Sequence, residues 1–419
     1  MAKKRIKKKF KKFILFVLLV GIIAGAFYYF TKDKNSSTSF NKSTETSKKE
    51  DSKETYPKVS KISLVATGDG LLHNAVYADA YDRSTDTFDF SKQIELVKEE
   101  IKDYDIAYYN QESVFGGPMV DKWPTDNAYN VKGYSSYPLF NSPSAFGDAM
   151  VDAGFNMVSL ASNHSCDCTD KTKTCIENSY NYWASKNVVF DGFNIDESKE
   201  NKYNIGEKNG IKYGFLEYTN NLNGLDGAIS GQEYLIDTYD EETVKKEVEE
   251  LKKQVDVVIV AMHWHKNSSE YETVPTAANK AIAEYLSSIG VDIVLGTYSH
   301  CLQPFDIIND KTVVFYSLGN FISNQGVLTD SIGYKGIVGI LASMDIVKTE
   351  YEDGTSKIEV NNIGADLLYT YAENSKNFKV IPFSKMESKY NSDYLSIYDD
   401  YSNIVTSLNS NITIKPVNK

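Results

Sequence analysis

Histidine is scarce in this 419-residue chain. There are five, and four of them, His164, His263, His265 and His300, close β-rich runs. Cysteine is scarcer still, with four, and no Cys-x-x-Cys pair occurs, which speaks against a zinc knuckle. No Ser-His-Asp order marks a catalytic triad, no glycine-rich loop marks a phosphate cradle, and no repeat recurs beyond a strand–turn pattern. Acidic residues are missing from residues 1–12, MAKKRIKKKFKK, and charge of either sign from residues 13–30, FILFVLLVGIIAGAFYYF. With +8 in that first segment and −12 overall, about −20 falls after residue 30. An acidic body of this kind argues against nucleic acid as a partner.

The apolar run is just long enough to span a hydrocarbon core of about 30 Å as a helix rising roughly 1.5 Å per residue. Its basic prefix would stay in the cytoplasm and the rest of the chain would lie outside. Residues 13–30 therefore read as a single-pass anchor after a cytoplasmic segment, 1–12. The rival is a cleaved signal peptide with Ala24-Gly25-Ala26 at its cleavage site, against which Phe27, Tyr28, Tyr29 and Phe30 prolong the run. Residues 31–58 are rich in Ser, Thr, Lys and acids and read as a flexible tether. Order is expected from Val59, in one domain over 59–385. The tail, 386–419, has weaker patterning.

Within that domain one unit recurs: a helix-like stretch, a short apolar run, then a polar residue able to bind metal. KISLVATGDG ends at Asp69, DYDIAYYNQES at Asn110 and Glu112, AGFNMVSLASNHS at Asn163 and His164, QVDVVIVAMHWH at His263 and His265, and GVDIVLGTYSH at His300. Runs of this length and composition are buried strands. PTAANKAIAEYLSSIG, 275–290, reads as a helix with Gly290 as its cap, and EETVKKEVEELKKQ, 241–254, as a helix burying Val244, Val248 and Leu251. Strands alternating with helices give an α/β layered domain, with ligands beyond the carboxyl ends of the strands. Five such ends presenting Asp, Glu, Asn or His point to a site rather than to turn chemistry.

That donor set suits Mn, Zn or Fe rather than calcium. Two ions joined by a carboxylate can activate water and stabilise charge on phosphoryl or acyl oxygens. His73 reads as an ordinary histidine rather than a ligand, and Trp264 as packing.

The motifs GDG (68–70), NQE (110–112), SNH (162–164), HWH (263–265), GTYSHCLQP (296–304) and YSLGNF (316–321) resemble the successive motifs of bacterial poly-γ-glutamate capsule synthesis proteins, the CapA (PgsA) family. The resemblance implies a calcineurin-like metallophosphoesterase fold, a four-layer α/β/β/α sandwich with a divalent metal site for one or two ions. By position, it makes Asp69, Asn163, His263 and His300 ligands, Glu112 a bridging carboxylate and His164 the acid. Asn110, Tyr298 and Asn320 would stand behind the ligands or touch substrate. Two departures matter: Leu71 and Tyr298 stand where related phosphoesterases carry ligating histidines. His265, an addition to the family's HWG pattern, either swings in as a ligand and offsets the loss at Tyr298 or is a surface histidine. The cysteines are expected to form a link from Cys301 to Cys166 or Cys168, near His164; Cys175 is the fourth.

The function implied is an anchored extracytoplasmic protein of capsule biosynthesis. It would act on an anionic polymer beside membrane polymer-synthase subunits. The alternatives are a phosphoesterase for cell-wall or nucleotide substrates, and a non-catalytic polymer-binding subunit with a degraded metal site.

Overall fold

A computed structural model describes residues 55–118, 133–198, 204–264, 270–326 and 332–417. The anchor reading of 13–30 and the position of His265 lie outside them. Among the described residues, no helix is long and apolar enough to cross a membrane.

The chain runs β1 (Lys58–Gly70), α1 (Asn74–Asp79), β2 (Tyr81–Asp82), β3 (Thr87–Phe88), α2 (Ser91–Ile101), β4 (Ile106–Asn110), α3 (Ala145–Ala153), β5 (Met157–Ser159), α4 (Thr172–Ala184) and β6 (Val189–Asp191). It continues through β7 (Asn204–Lys208), β8 (Ile211–Thr219), α5 (Glu241–Leu251), β9 (Val257–His263), α6 (Ala277–Ile289), β10 (Ile293–Thr297), β11 (Phe305–Ile308), β12 (Thr312–Phe315) and β13 (Asn320–Ile322). It closes with β14 (Val338–Glu350), β15 (Ser356–Tyr371), β16 (Lys379–Pro382), α7 (Tyr394–Thr406) and β17 (Thr413–Ile414).

Two large sheets result. The first has the order β16-β15-β14-β1-β4-β5-β6, with β13 paired to the end of β1 and β17 to β15. The second has the order β11-β12-β10-β9-β8-β7. β1, β4, β5 and β6 are parallel, as are β8, β9, β10 and β12.

Alternation along the strands divides the interior. In β9, Val257, Ile259 and Ala261 enter a core shared with Ile62, Leu64 and Ala66 of β1. Val258, Val260 and Met262 face the other way, onto Val244, Val248 and Leu251 of α5 and Leu286 of α6. On the first sheet, Val65, Ala107 and Tyr109 point away from the shared core toward α2, α3 and α4. This explains why VVIVAM, 257–262, is continuously apolar: a strand buried on both faces has no polar side to show.

The helices begin and end as their sequences dictate. The Asp240 side chain accepts the N–H of Thr243 at the start of α5, and that of Thr276 accepts the N–H of Asn279 at the start of α6. Gly290 closes α6 with φ +96°. The C-terminal segment is ordered too: Ile397, Tyr401 and Val405 of α7 are buried against the shared core.

The expected link from Cys301 is corrected. The bond joins Cys168 to Cys175, while Cys166 and Cys301 are buried free thiols. Local geometry decided the pairing: Cys168 closes the turn after His164 and Cys175 sits in the first turn of α4, seven residues on. The Cys301 thiol instead donates to the carbonyl of Glu272 at 3.0 Å.

Candidate metal centre

The parallel pairing sets the site. Asp69 at the end of β1 lies in register with Asn110 of β4 on one side and Asn320 of β13 on the other. On the second sheet, His263 at the end of β9 is in register with Thr219 of β8 and Thr297 of β10. The carboxyl ends of the two sheets meet, and the donors of one face those of the other.

Asp69, Glu112 and His300 each offer a ligand atom, and these atoms lie within 4.8 Å of one another. Glu112 is central. Its Oε2 is 3.7 Å from His300 Nδ1; its Oε1 is 3.8 Å from His263 Nε2 and 4.0 Å from His164 Nε2. Asn163 Oδ1 lies 2.9 Å from His263 Nε2. Glu112 thus stands between two donor groups, Asp69 with His300 and Asn163 with His263.

The supporting contacts run behind. Asn110 Nδ2 donates to Asp69 Oδ1 at 2.7 Å, and its Oδ1 accepts from Ser159 Oγ at 2.7 Å. Asn320 Oδ1 lies 3.1 Å from His300 Nδ1, while its amide group donates to Gln325 Oε1 and the Gly336 carbonyl, both at 2.7 Å. Thr297 Oγ1 meets His263 Nδ1 at 2.9 Å. The loop after β10 turns sharply, with φ of 99° at Tyr298 and 56° at His300. Side chains seldom adopt such angles outside constrained sites. The Tyr298 ring is buried edge-on to His263, 5.6 Å between centroids.

The donor set fits a metal on two observations. Both Glu112 oxygens are buried and, among the described residues, have no hydrogen-bond partner, and the buried Asp69 Oδ2 has only His300 Nδ1 near it, at 3.3 Å. Desolvated oxygens of this kind are costly unless a cation or proton meets them. Burial pushes the Glu112 carboxyl well above the usual range. Burial works to lower His300, but the Glu112 and Asp69 carboxylates beside it outweigh that and hold it up at about 10. Without an ion the centre therefore retains protons that a divalent cation would displace. Imidazole, carboxylate and amide oxygen together suit a transition metal.

A cavity of about 830 Å³ opens on the centre. Asn163, His164, Asp167, Tyr271 and His300 line it. His164 Nδ1 is 2.6 Å from Asp167 Oδ2, which also accepts the Phe140 N–H at 2.5 Å. The sequence reading missed Asp167, although its place three residues after His164 in a tight turn is a detectable signal. It also set aside His73, which lines the same cavity. Leu71, buried, lines the wall of the same cavity. Trp264 is packing: it is buried, its indole N–H donates to the Tyr316 carbonyl at 2.8 Å, and its ring stacks on Tyr316.

The family model "Bacterial capsule synthesis protein PGA_cap" matches residues 63–325, more than half of the chain. This chain belongs to that family. Among characterised relatives, "PGA biosynthesis protein CapA" of Bacillus subtilis (strain 168) is 29% identical over 177 residues, 42% of this chain and 44% of the relative. "Capsule biosynthesis protein CapA" of Bacillus anthracis is 31% identical over 186 residues, 42% of each chain. The match thus spans less than half the length of either relative. Among solved structures, Haemophilus influenzae NAD nucleotidase aligns with 11% identity over 86% of this chain and 65% of its own, at a TM-score of 0.39. A likeness that faint carries no argument about chemistry. The family membership rests on the motifs, and all six motif segments lie within or at the edge of the matched residues.

Proposed function

We propose that this chain is a membrane-anchored, extracytoplasmic protein of capsule-polymer biosynthesis whose buried centre is a metal-dependent hydrolase site. One observation carries the catalytic part: Glu112, buried with both oxygens unpartnered among the described residues, lies between two groups of donors. Asp69, Glu112 and His300 would hold one ion, and Glu112, Asn163 and His263 a second. Bound there, Mn, Zn or Fe would supply Lewis acidity and a water of lowered pKa. His164, steadied through Nδ1 by Asp167, presents Nε2 toward the centre and is placed to protonate a leaving group. The walls of the cavity, Phe140 and Leu139 among them, exclude bulk water from that transfer.

Two sheets with a shared apolar core and helices on the far side of each support the four-layer α/β/β/α reading. The basic start and uncharged run of the sequence support the anchor and the cell-membrane location. The family's description supports a role in capsule synthesis; an anionic polymer as substrate and membrane polymer-synthase subunits as partners are part of the proposal.

A second reading, a polymer-binding subunit without turnover, is favoured by Leu71 and Tyr298, which leave the centre short of nitrogen donors. The test is metal analysis of the full-length protein in detergent, with phosphodiester and γ-glutamyl hydrolysis assays. Two bound ions, and activity lost in both Glu112→Ala and His164→Ala, support the hydrolase. Protein that holds no metal yet binds polyglutamate supports the subunit.

A further inference from the structure

His73 begins α1, just past the strand end that carries Asp69. Its half-buried ring lines the cavity together with His164 and His300. The Phe140 ring lies between two imidazoles: His73 edge-on at 5.2 Å and His164 edge-on at 4.7 Å. Phe140 therefore fixes the plane of His73 as well as that of His164.

The protein also fixes the tautomer of His73. The backbone N–H of Asn324 points at His73 Nδ1 from 3.2 Å. A backbone amide can only donate, so Nδ1 must keep its lone pair. The Leu71 carbonyl, 3.3 Å from the same nitrogen, is the longer contact and accepts the backbone N–H of His73 at 3.0 Å, so the Asn324 donor decides the tautomer. The ring proton therefore sits on Nε2, on the edge of the ring away from Asn324. Burial keeps the imidazole neutral, pushing its pKa down to about 3. A neutral imidazole held by Nδ1 is a one-proton donor of fixed direction.

We propose that His73 is a substrate-contacting residue of this cavity, its Nε2–H donating a hydrogen bond to an oxygen of the phosphoryl or carboxyl group that reaches the centre. The inference rests on the reading of the cavity as the substrate site. A neutral donor suits a place beside His300 and His164, where another cation would be repelled and would compete with metal. The two histidines both pack against the Phe140 ring, so they would approach a tetrahedral or planar oxyanion in the cavity from different directions.

Two substitutions separate this role from a merely structural one. In His73→Asn the amide oxygen takes the place of Nδ1 and can still accept the Asn324 N–H, but the Nε2 donor is gone. In His73→Gln the terminal amide nitrogen takes the place of Nε2 and keeps that donor, but the latch to Asn324 is lost. The full-length protein in detergent, loaded with Mn²⁺, is assayed on bis(p-nitrophenyl) phosphate and titrated with inorganic phosphate, alongside thermal melts. The expected result is a roughly ten- to hundredfold loss of kcat/KM and of phosphate affinity in His73→Asn at an unchanged Tm. His73→Gln should stay within about threefold of wild type in affinity even if its Tm falls. The reverse pattern, equal losses, or no loss in either variant would overturn the proposal. Wild type that binds phosphate with this pattern but does not turn over the ester would sink the hydrolase reading alone. Wild type that neither binds nor hydrolyses overturns both.

Discussion

At the scale of single residues, the centre is a problem of buried charge. Among the described residues Glu112 has no hydrogen-bond partner, its neighbouring imidazole nitrogens standing 3.7 to 4.0 Å away, and His300 is held protonated only because two carboxylates stand beside it. An ion entering must displace that proton, since ligands bind metal in their deprotonated forms. His300 stays protonated up to about pH 10, so apparent Mn²⁺ affinity should climb with pH across the neutral range, by up to about tenfold per unit for each proton released. Calorimetric titration at pH 6 and pH 8 checks this, and an affinity independent of pH would contradict it. Asp167 acts through His164 rather than on an ion. Asp167→Asn is expected to lower kcat by roughly tenfold or more with metal content unchanged, because an amide cannot stabilise the imidazolium from which His164 gives its proton to the leaving group. Metal lost along with activity would instead make Asp167 part of the metal centre.

At the scale of elements, strand ends aim the ligands, and close backbone approach holds the ends. β1 and β13 come so near at Gly68 that an added Cβ would stand 1.7 Å from the Gly319 carbonyl oxygen. The next residue, Asp69, donates its backbone N–H to that same carbonyl at 2.9 Å. Gly68→Ala should therefore push the two segments apart, costing about 1–3 kcal/mol by denaturant unfolding. It should also weaken Mn²⁺ binding, because Asp69 and Asn320 move with them; unchanged metal affinity would show that the ligand positions are set elsewhere. The recurring unit was plain in the sequence because runs such as VVIVAM and IAYYN are buried on both faces. β13 was harder to read: only three residues long, it takes its place in the first sheet by pairing with a strand some 250 residues earlier. α7 escaped notice for a related reason, since its buried residues, Ile397, Tyr401 and Val405, are interspersed with half-buried tyrosines and exposed acids.

At the scale of the whole molecule, the centre is assembled from both sheets. Asp69, Glu112 and Asn163 follow strands of the first, His263 and His300 strands of the second. The apolar core between the sheets holds the two sets in register, and an ion would hold them in return. Since such an ion binds the folded chain and has no assembled site in the unfolded one, its removal costs stability by mass action. Chelation should lower Tm, with about 2.7 kcal/mol lost where the ion had been present at a hundred times its dissociation constant. In Glu112→Ala chelation should leave Tm unmoved. Scanning calorimetry with and without chelator checks both.

The sequence alone determined the alternating strands and helices, the polar strand ends and the family, because each of these is a local pattern of periodicity or motif. It named Asp69, Glu112, Asn163, His164, His263 and His300, which the fold brings to one place. Only the tertiary structure decided what depends on distant neighbours. The disulfide went to Cys175 rather than Cys301 because the turn after His164 folds back onto α4. His73 joined the cavity because of where the Phe140 and Asn324 segments pass, information not held in its own surroundings in sequence, whereas Asp167 has a local partner in His164 and takes the Phe140 N–H as well. Glu112 became the centre because two sheets, each built by local rules, present their carboxyl ends to the same buried carboxylate.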